Sequence, residues 1–91
     1  MAAIIACNWR VPEGEIDLVV GRDGTIVFAE VKTRRTNQFG DPSLAVNADK
    51  QHRLRRLAVL FLRSNGLRHD RIRFDVVAVL GTTVRVIEGA F

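Results

Sequence analysis

Asp17, Glu30 and Lys32 are the residue types that a hard divalent cation and a phosphate group call for: two carboxylates and an ammonium. Mg²⁺ or Mn²⁺ takes one or two carboxylates and completes its shell with water and phosphate oxygens. Lys32, two residues beyond Glu30, would hold an attacking water or stabilise charge developing on the phosphoryl group. The Val31 carbonyl between them offers a further oxygen ligand.

These residues must share one face for that chemistry, and strand periodicity decides it. Side chains alternate with period two, and the length of a hairpin loop fixes which residues oppose each other. Gly21-Arg22-Asp23-Gly24 carries the Asp-Gly hairpin signal. A two-residue loop pairs Arg22 with Thr25, Asp17 with Glu30, and Glu15 with Lys32, all on one face. A four-residue loop would shift Asp17 against Phe28 and keep that parity, whereas a three-residue loop would send Asp17 to the other face. Opposed carboxylates about 5 Å apart repel unless a cation lies between them. The competing reading is a solvated face of an amphipathic hairpin, with Lys32 balancing Glu15.

Ile4 to Trp9 is a short β-prone run, and Pro12-Glu13-Gly14 turns it into the alternating run Glu15 to Val20. Thr25 to Thr33 is β-branched and aromatic, so the first half reads as an antiparallel meander. A loop over 36–46 contains Asn37, Gly40, Asp41, Pro42 and Ser43. Asn47 then caps a helix whose Leu54, Leu57, Ala58 and Phe61 fall at i, i+3, i+4 and i+7, the stripe of a helix lying on a sheet. Asn65-Gly66 stops it. Ile72 to Leu80 is nearly continuously apolar, as a strand buried on both faces would be, and Gly81-Thr82 turns into a last strand, Val84 to Glu88. The order is β-β-β-α-β-β, an α/β class with a mixed sheet, in one domain spanning 1–91.

Ninety-one residues, 47% of them hydrophobic, leave room for one core. Fourteen Lys and Arg against 10 Asp and Glu give a net charge of +4, which suits a polyanion. Lys50, Arg53, Arg55, Arg56 and Arg63 concentrate that charge on one segment. The expected partner is a nucleic acid, DNA above all, with a homodimer admitted. Cys7 is the sole cysteine, which excludes a disulfide framework and a thiolate metal site. The start, MAAIIAC, lacks a basic n-region, and no run approaches about 18 apolar residues, so the expected location is cytoplasmic and no membrane partner is expected.

Gly14-Glu15-Ile16-Asp17-Leu18, then Val27-Phe28-Ala29-Glu30-Val31-Lys32-Thr33-Arg34, the Lys50-Gln51 helix start and the ending Ile87-Glu88-Gly89-Ala90-Phe91 together resemble the YraN family. The resemblance runs from about Ile5 to Phe91. It implies a PD-(D/E)XK, restriction endonuclease-like core related to Holliday junction resolvases, with Asp17, Glu30 and Lys32 at the motif positions. Family members usually begin with a helix carrying a Gly-Glu pair, and by the resemblance this chain starts just after it, with that N-terminal helix absent. In related nucleases the helix glutamate helps to bind metal.

Lys50 and Gln51 lie at a helix start, where N–H groups and the dipole favour phosphate, and both double as ordinary first-turn polar residues. With Arg34, Arg53 and Arg56 they form the expected nucleic-acid-binding set; Glu15 is grouped with it without a defined role. His52 and His69 lack ligand spacing and read as surface residues. Trp9 and Phe39 are candidates for base stacking, Trp9 being more simply a packing residue. Asp75, on the apolar strand, needs a partner, an Arg neighbour before a catalytic role. Ser43 and Ser64 have no base beside them. The expectation is a Mg²⁺- or Mn²⁺-dependent endonuclease hydrolysing DNA phosphodiesters, branched or single-stranded DNA included; the alternative is a non-catalytic nucleic-acid-binding module of the same fold.

Overall fold

In the computed structural model, residues 2–35 and 44–91 are described, and they form a mixed sheet of five strands crossed by one helix. The strands are β1 (Ala2–Val11), β2 (Gly14–Arg22), β3 (Thr25–Arg34), β4 (Arg71–Leu80) and β5 (Thr83–Ile87), and α1 is Ala48–Asn65. Spatial order follows chain order, with β3 and β4 parallel and every other neighbouring pair antiparallel. A parallel pair cannot be joined by a tight turn, so the connection carrying α1 crosses one face of the sheet between β3 and β4.

The β2–β3 loop has two residues: Arg22 pairs with Thr25, and Asp23 and Gly24 both have positive φ, 49° and 79°. That is the backbone of a primed hairpin turn, which matches the twist of the strands and favours Asp-Gly. A Cβ on Gly24 would fall 2.5 Å from Asp70 Oδ2, so close approach also demands glycine there.

Alternation along β3 and β4 sends Ile26, Phe28, Glu30, Phe74, Val76 and Ala78 toward α1, and Val27, Ala29, Asp75 and Val77 to the other face. The helix buries Leu54, Leu57, Ala58 and Phe61, the expected stripe. Full burial of each large side chain contributes about 1.5–3 kcal/mol. Phe61 meets Phe28 edge-on at 5.9 Å and Trp9 edge-on at 5.2 Å, so Trp9 is a packing residue. Asn47 Oδ1 accepts Lys50 N–H at 2.9 Å to cap the helix, and Gly66, left-handed at φ 58°, ends it.

Asp75, 2% exposed, receives both Arg73 guanidinium bonds at 2.9 and 3.0 Å and the Gly89 N–H at 3.0 Å. This pairing also holds the Arg73 pKa above its ordinary value, the hydrogen bond to Asp75 being the main cause. Its partner is the Arg neighbour that the sequence calls for. Phe39, Ser43 and the rest of 36–43 lie outside the described residues.

Candidate active site

β2 and β3 separate where the site begins. Their ladder runs from Arg22–Thr25 to Leu18–Ala29, and the expected Asp17–Glu30 and Glu15–Lys32 pairs do not form among the described residues. Asp17 instead turns its carboxylate onto the β3 main chain, Oδ2 accepting the Val31 N–H at 2.9 Å. A side chain has taken the place of a strand, which satisfies Val31 and leaves an opening between β2 and β3. Ile16 and Val19 differ in parity yet share one core, so β2 rotates between them, around Asp17.

The opening is a cleft of about 440 Å³ lined by Asp17, Glu30, Val31, Lys50 and Arg53, with Glu13, Gly14 and Glu15 at its rim and Leu54 behind. Asp17, Glu30 and Glu15 all line this cleft, although the cross-strand pairing expected to bring them together does not form among the described residues. Glu15 lies 3.4 Å from the Arg10 guanidinium and is partly neutralised by it.

Glu30 is the anomaly. It is 6% exposed, with Oε1 ion-paired to the Lys50 ammonium and Oε2 buried without a hydrogen-bond partner among the described residues. An ionised carboxylate stays buried only when paired, and an orphaned oxygen costs about 1–3 kcal/mol or more. Sequence reasoning assigns Lys50 to phosphate and misses its place on Glu30, which needs the tertiary position of α1 over β3. The available signal is its station one turn before Leu54 on the core-facing stripe.

Lys32 does not line the cleft: its Nζ donates to the Ala45 carbonyl at 2.7 Å. Burial lowers its pKa, Lys50 and Arg34 press it the same way, and Glu30 opposes them. Gln51 Nε2 donates to the Val46 carbonyl at 2.8 Å, a structural bond at the helix start. Arg34 folds back onto the Thr33 carbonyl at 2.8 Å. Arg53 borders the cleft, and Arg56 lies beside it in a hollow with Asp49 and His52. Arg55 stands apart from them, its guanidinium 4.7 Å over the Phe74 ring.

Two carboxylates of hard oxygen donors and one orphaned buried oxygen fit Mg²⁺ or Mn²⁺, which need few protein ligands. The Asp and Glu side chains around the cleft are not drawn together into a set of three metal ligands among the described residues, so the protein would offer a cation two carboxylates and leave the rest of its shell to water and substrate. No described helix is long and apolar enough to cross a membrane.

The profile of the uncharacterised protein family UPF0102 matches residues 1–79. The chain belongs to UPF0102. It is 42% identical over 90 residues to the UPF0102 protein of Desulfosudis oleivorans, covering 97% of this chain and 73% of that one. Against the Moorella thermoacetica UPF0102 protein it is 47% identical over 94 residues, covering 97% and 78%. Against a Rhodococcus jostii UPF0102 protein it is 48% identical over 77 residues, covering 85% of this chain and 65% of that one. It thus spans about two thirds to three quarters of these relatives. UPF0102 is the family that the strand motifs and helix start resemble as YraN.

Proposed function

We propose that this UPF0102 domain is a metal-dependent endonuclease of the PD-(D/E)XK type that hydrolyses DNA phosphodiesters. The observation that carries the reading is Glu30, a buried carboxylate with one oxygen on a lysine and the other without a partner among the described residues, facing a cleft shared with Asp17. Structural carboxylates in cores are satisfied, as Asp75 is by three bonds. An incompletely satisfied carboxylate at a cleft supports a ligand at Glu30.

Asp17 and Glu30 would hold Mg²⁺ or Mn²⁺. A cation bound there supplies Lewis-acid polarisation of a phosphoryl oxygen and a water of lowered pKa. Asp17 is aimed by the Val31 N–H, and Glu30 is fixed by β3, which keeps the carboxylates at the cleft without help from substrate. Lys50 and Arg53 place positive charge in and beside the cleft, suited to a phosphate backbone. Lys32 would neutralise charge developing on the phosphoryl group only by leaving the Ala45 carbonyl for the cleft.

The second reading, a nucleic-acid-binding module without turnover, is favoured by Lys50 on Glu30 and Lys32 on Ala45, which give the Glu30 charge a counter-ion and the Lys32 ammonium an acceptor without metal or substrate. The deciding experiment is a cleavage panel of linear, single-stranded and four-way-junction DNA with Mg²⁺, Mn²⁺ or EDTA, using the chain alone and the chain carrying a relative's N-terminal extension. Metal-dependent cleavage by either is expected. Binding without cleavage under every condition would replace the enzyme reading with the second.

A further inference from the structure

We propose that Lys50 is a resident counter-ion, which a divalent cation displaces from Glu30 and which then turns to the phosphate. The inference rests on the metal-site reading above and adds a competitor to it. Glu30 sits on β3 and is almost wholly buried, while the Lys50 side chain is 44% exposed and reaches in from the cleft. Without a cation, Glu30 would be an uncompensated buried charge, and the ammonium supplies the compensation.

A divalent ion at Glu30 and the ammonium on the same carboxylate repel each other, most strongly on the buried Glu30 side of the pair. A cation entering at Oε2 would meet the ammonium on Oε1 of the same carboxylate, and exchange relieves that repulsion by leaving Glu30 with one cationic partner. The Lys50 backbone N–H is fixed to Asn47 Oδ1, so α1 stays in place while four methylenes carry the ammonium away. Released, it remains in the cleft beside Arg53, within reach of a phosphate entering past the Glu13 and Glu15 rim. Metal and phosphate binding are then coupled, each raising the affinity of the other by the same factor.

The test is calorimetric titration of Mn²⁺ alone into the native chain and Lys50→Met, together with melting temperatures with and without Mn²⁺. Lys50→Met is expected to bind Mn²⁺ at least about tenfold more tightly, to melt below the native chain without metal, and to lose that deficit at saturating Mn²⁺. Lys50→Gln, which keeps a hydrogen-bond donor for Glu30 without the charge, carries the same expectation if the methionine variant does not fold. Equal or weaker Mn²⁺ affinity in the variants overturns the exchange and leaves the metal site standing. No Mn²⁺ binding by any of the proteins overturns the metal site and the exchange with it.

Discussion

Asp17 Oδ2 accepts the Val31 N–H at 2.9 Å, so the residue beside Glu30 is held by a side chain from β2 and not by its backbone. The carboxylate has two duties, shaping the cleft and presenting charge to it, and substitutions separate them. Asp17→Asn keeps an acceptor oxygen for Val31 and removes the charge. It should fold with a melting temperature near that of the native chain yet lose the rise that Mg²⁺ or Mn²⁺ produces. Asp17→Ala should cost a further amount of about 1–2 kcal/mol, because the Val31 N–H is left without its partner. Thermal melts with and without metal check both; a metal response in Asp17→Asn equal to the native one removes Asp17 from the site.

Lys32 makes a pH prediction. Burial lowers its pKa in the folded chain, so the unfolded chain binds this proton more readily. Where the unfolded state holds more protons, stability rises with pH. The native chain should therefore gain stability relative to Lys32→Met as pH climbs from the lowered value to the ordinary lysine value, and the gain should level off above it. Urea denaturation of both proteins across the alkaline range measures this, and a native chain that loses ground to the variant there would reverse the sign.

Element order, the helix stripe and the two-residue turn were legible because each rests on local signals: Leu54, Leu57, Ala58 and Phe61 at helical spacing, Asp23-Gly24 for positive φ, Asn47 and Gly66 as caps. Gathering Asp17 and Glu30 on one cleft was legible from period two. What failed was extrapolation of the ladder past Leu18, since alternation assumes pairing continues and carries no sign that a side chain will replace it. The Lys50–Glu30 pair joins helix to strand across 20 positions of sequence, a distance that only packing can close. By its sequence context, Gly14 is a turn residue alone.

Gly14 is also a packing residue. Its φ of 154° lies where side chains are strained, and a Cβ there would come 3.1 Å from Leu57 Cδ1, a side chain that is 1% exposed. Gly14→Ala should cost about 1–3 kcal/mol and disturb the cleft it borders. Adding Leu57→Ala should cost less than the sum of the two single changes, because the clash is removed along with the leucine. Strict additivity in urea denaturation would mean that the close approach to Leu57 has no energetic consequence.

Enzyme and binding module predict different kinds of mutant. Glu30 and Lys32 have chemical roles in the first, whereas Arg53 and Arg56, exposed beside the cleft, only hold a phosphate backbone. Glu30→Gln or Lys32→Ala should therefore lower cleavage at least about a hundredfold while changing metal-free affinity far less, since removing one preorganised transition-state donor costs about 10²–10³ elsewhere. Replacing Arg53 and Arg56 together should instead weaken binding and reduce the salt slope by up to about 2, nearly one unit for each phosphate that is no longer neutralised. Fluorescence anisotropy across a salt series and single-turnover cleavage of the same DNA read the two effects separately. If all four substitutions change affinity in step with their charge, and cleavage is absent throughout, Glu30 and Lys32 are binding residues and the domain is a nucleic-acid-binding module.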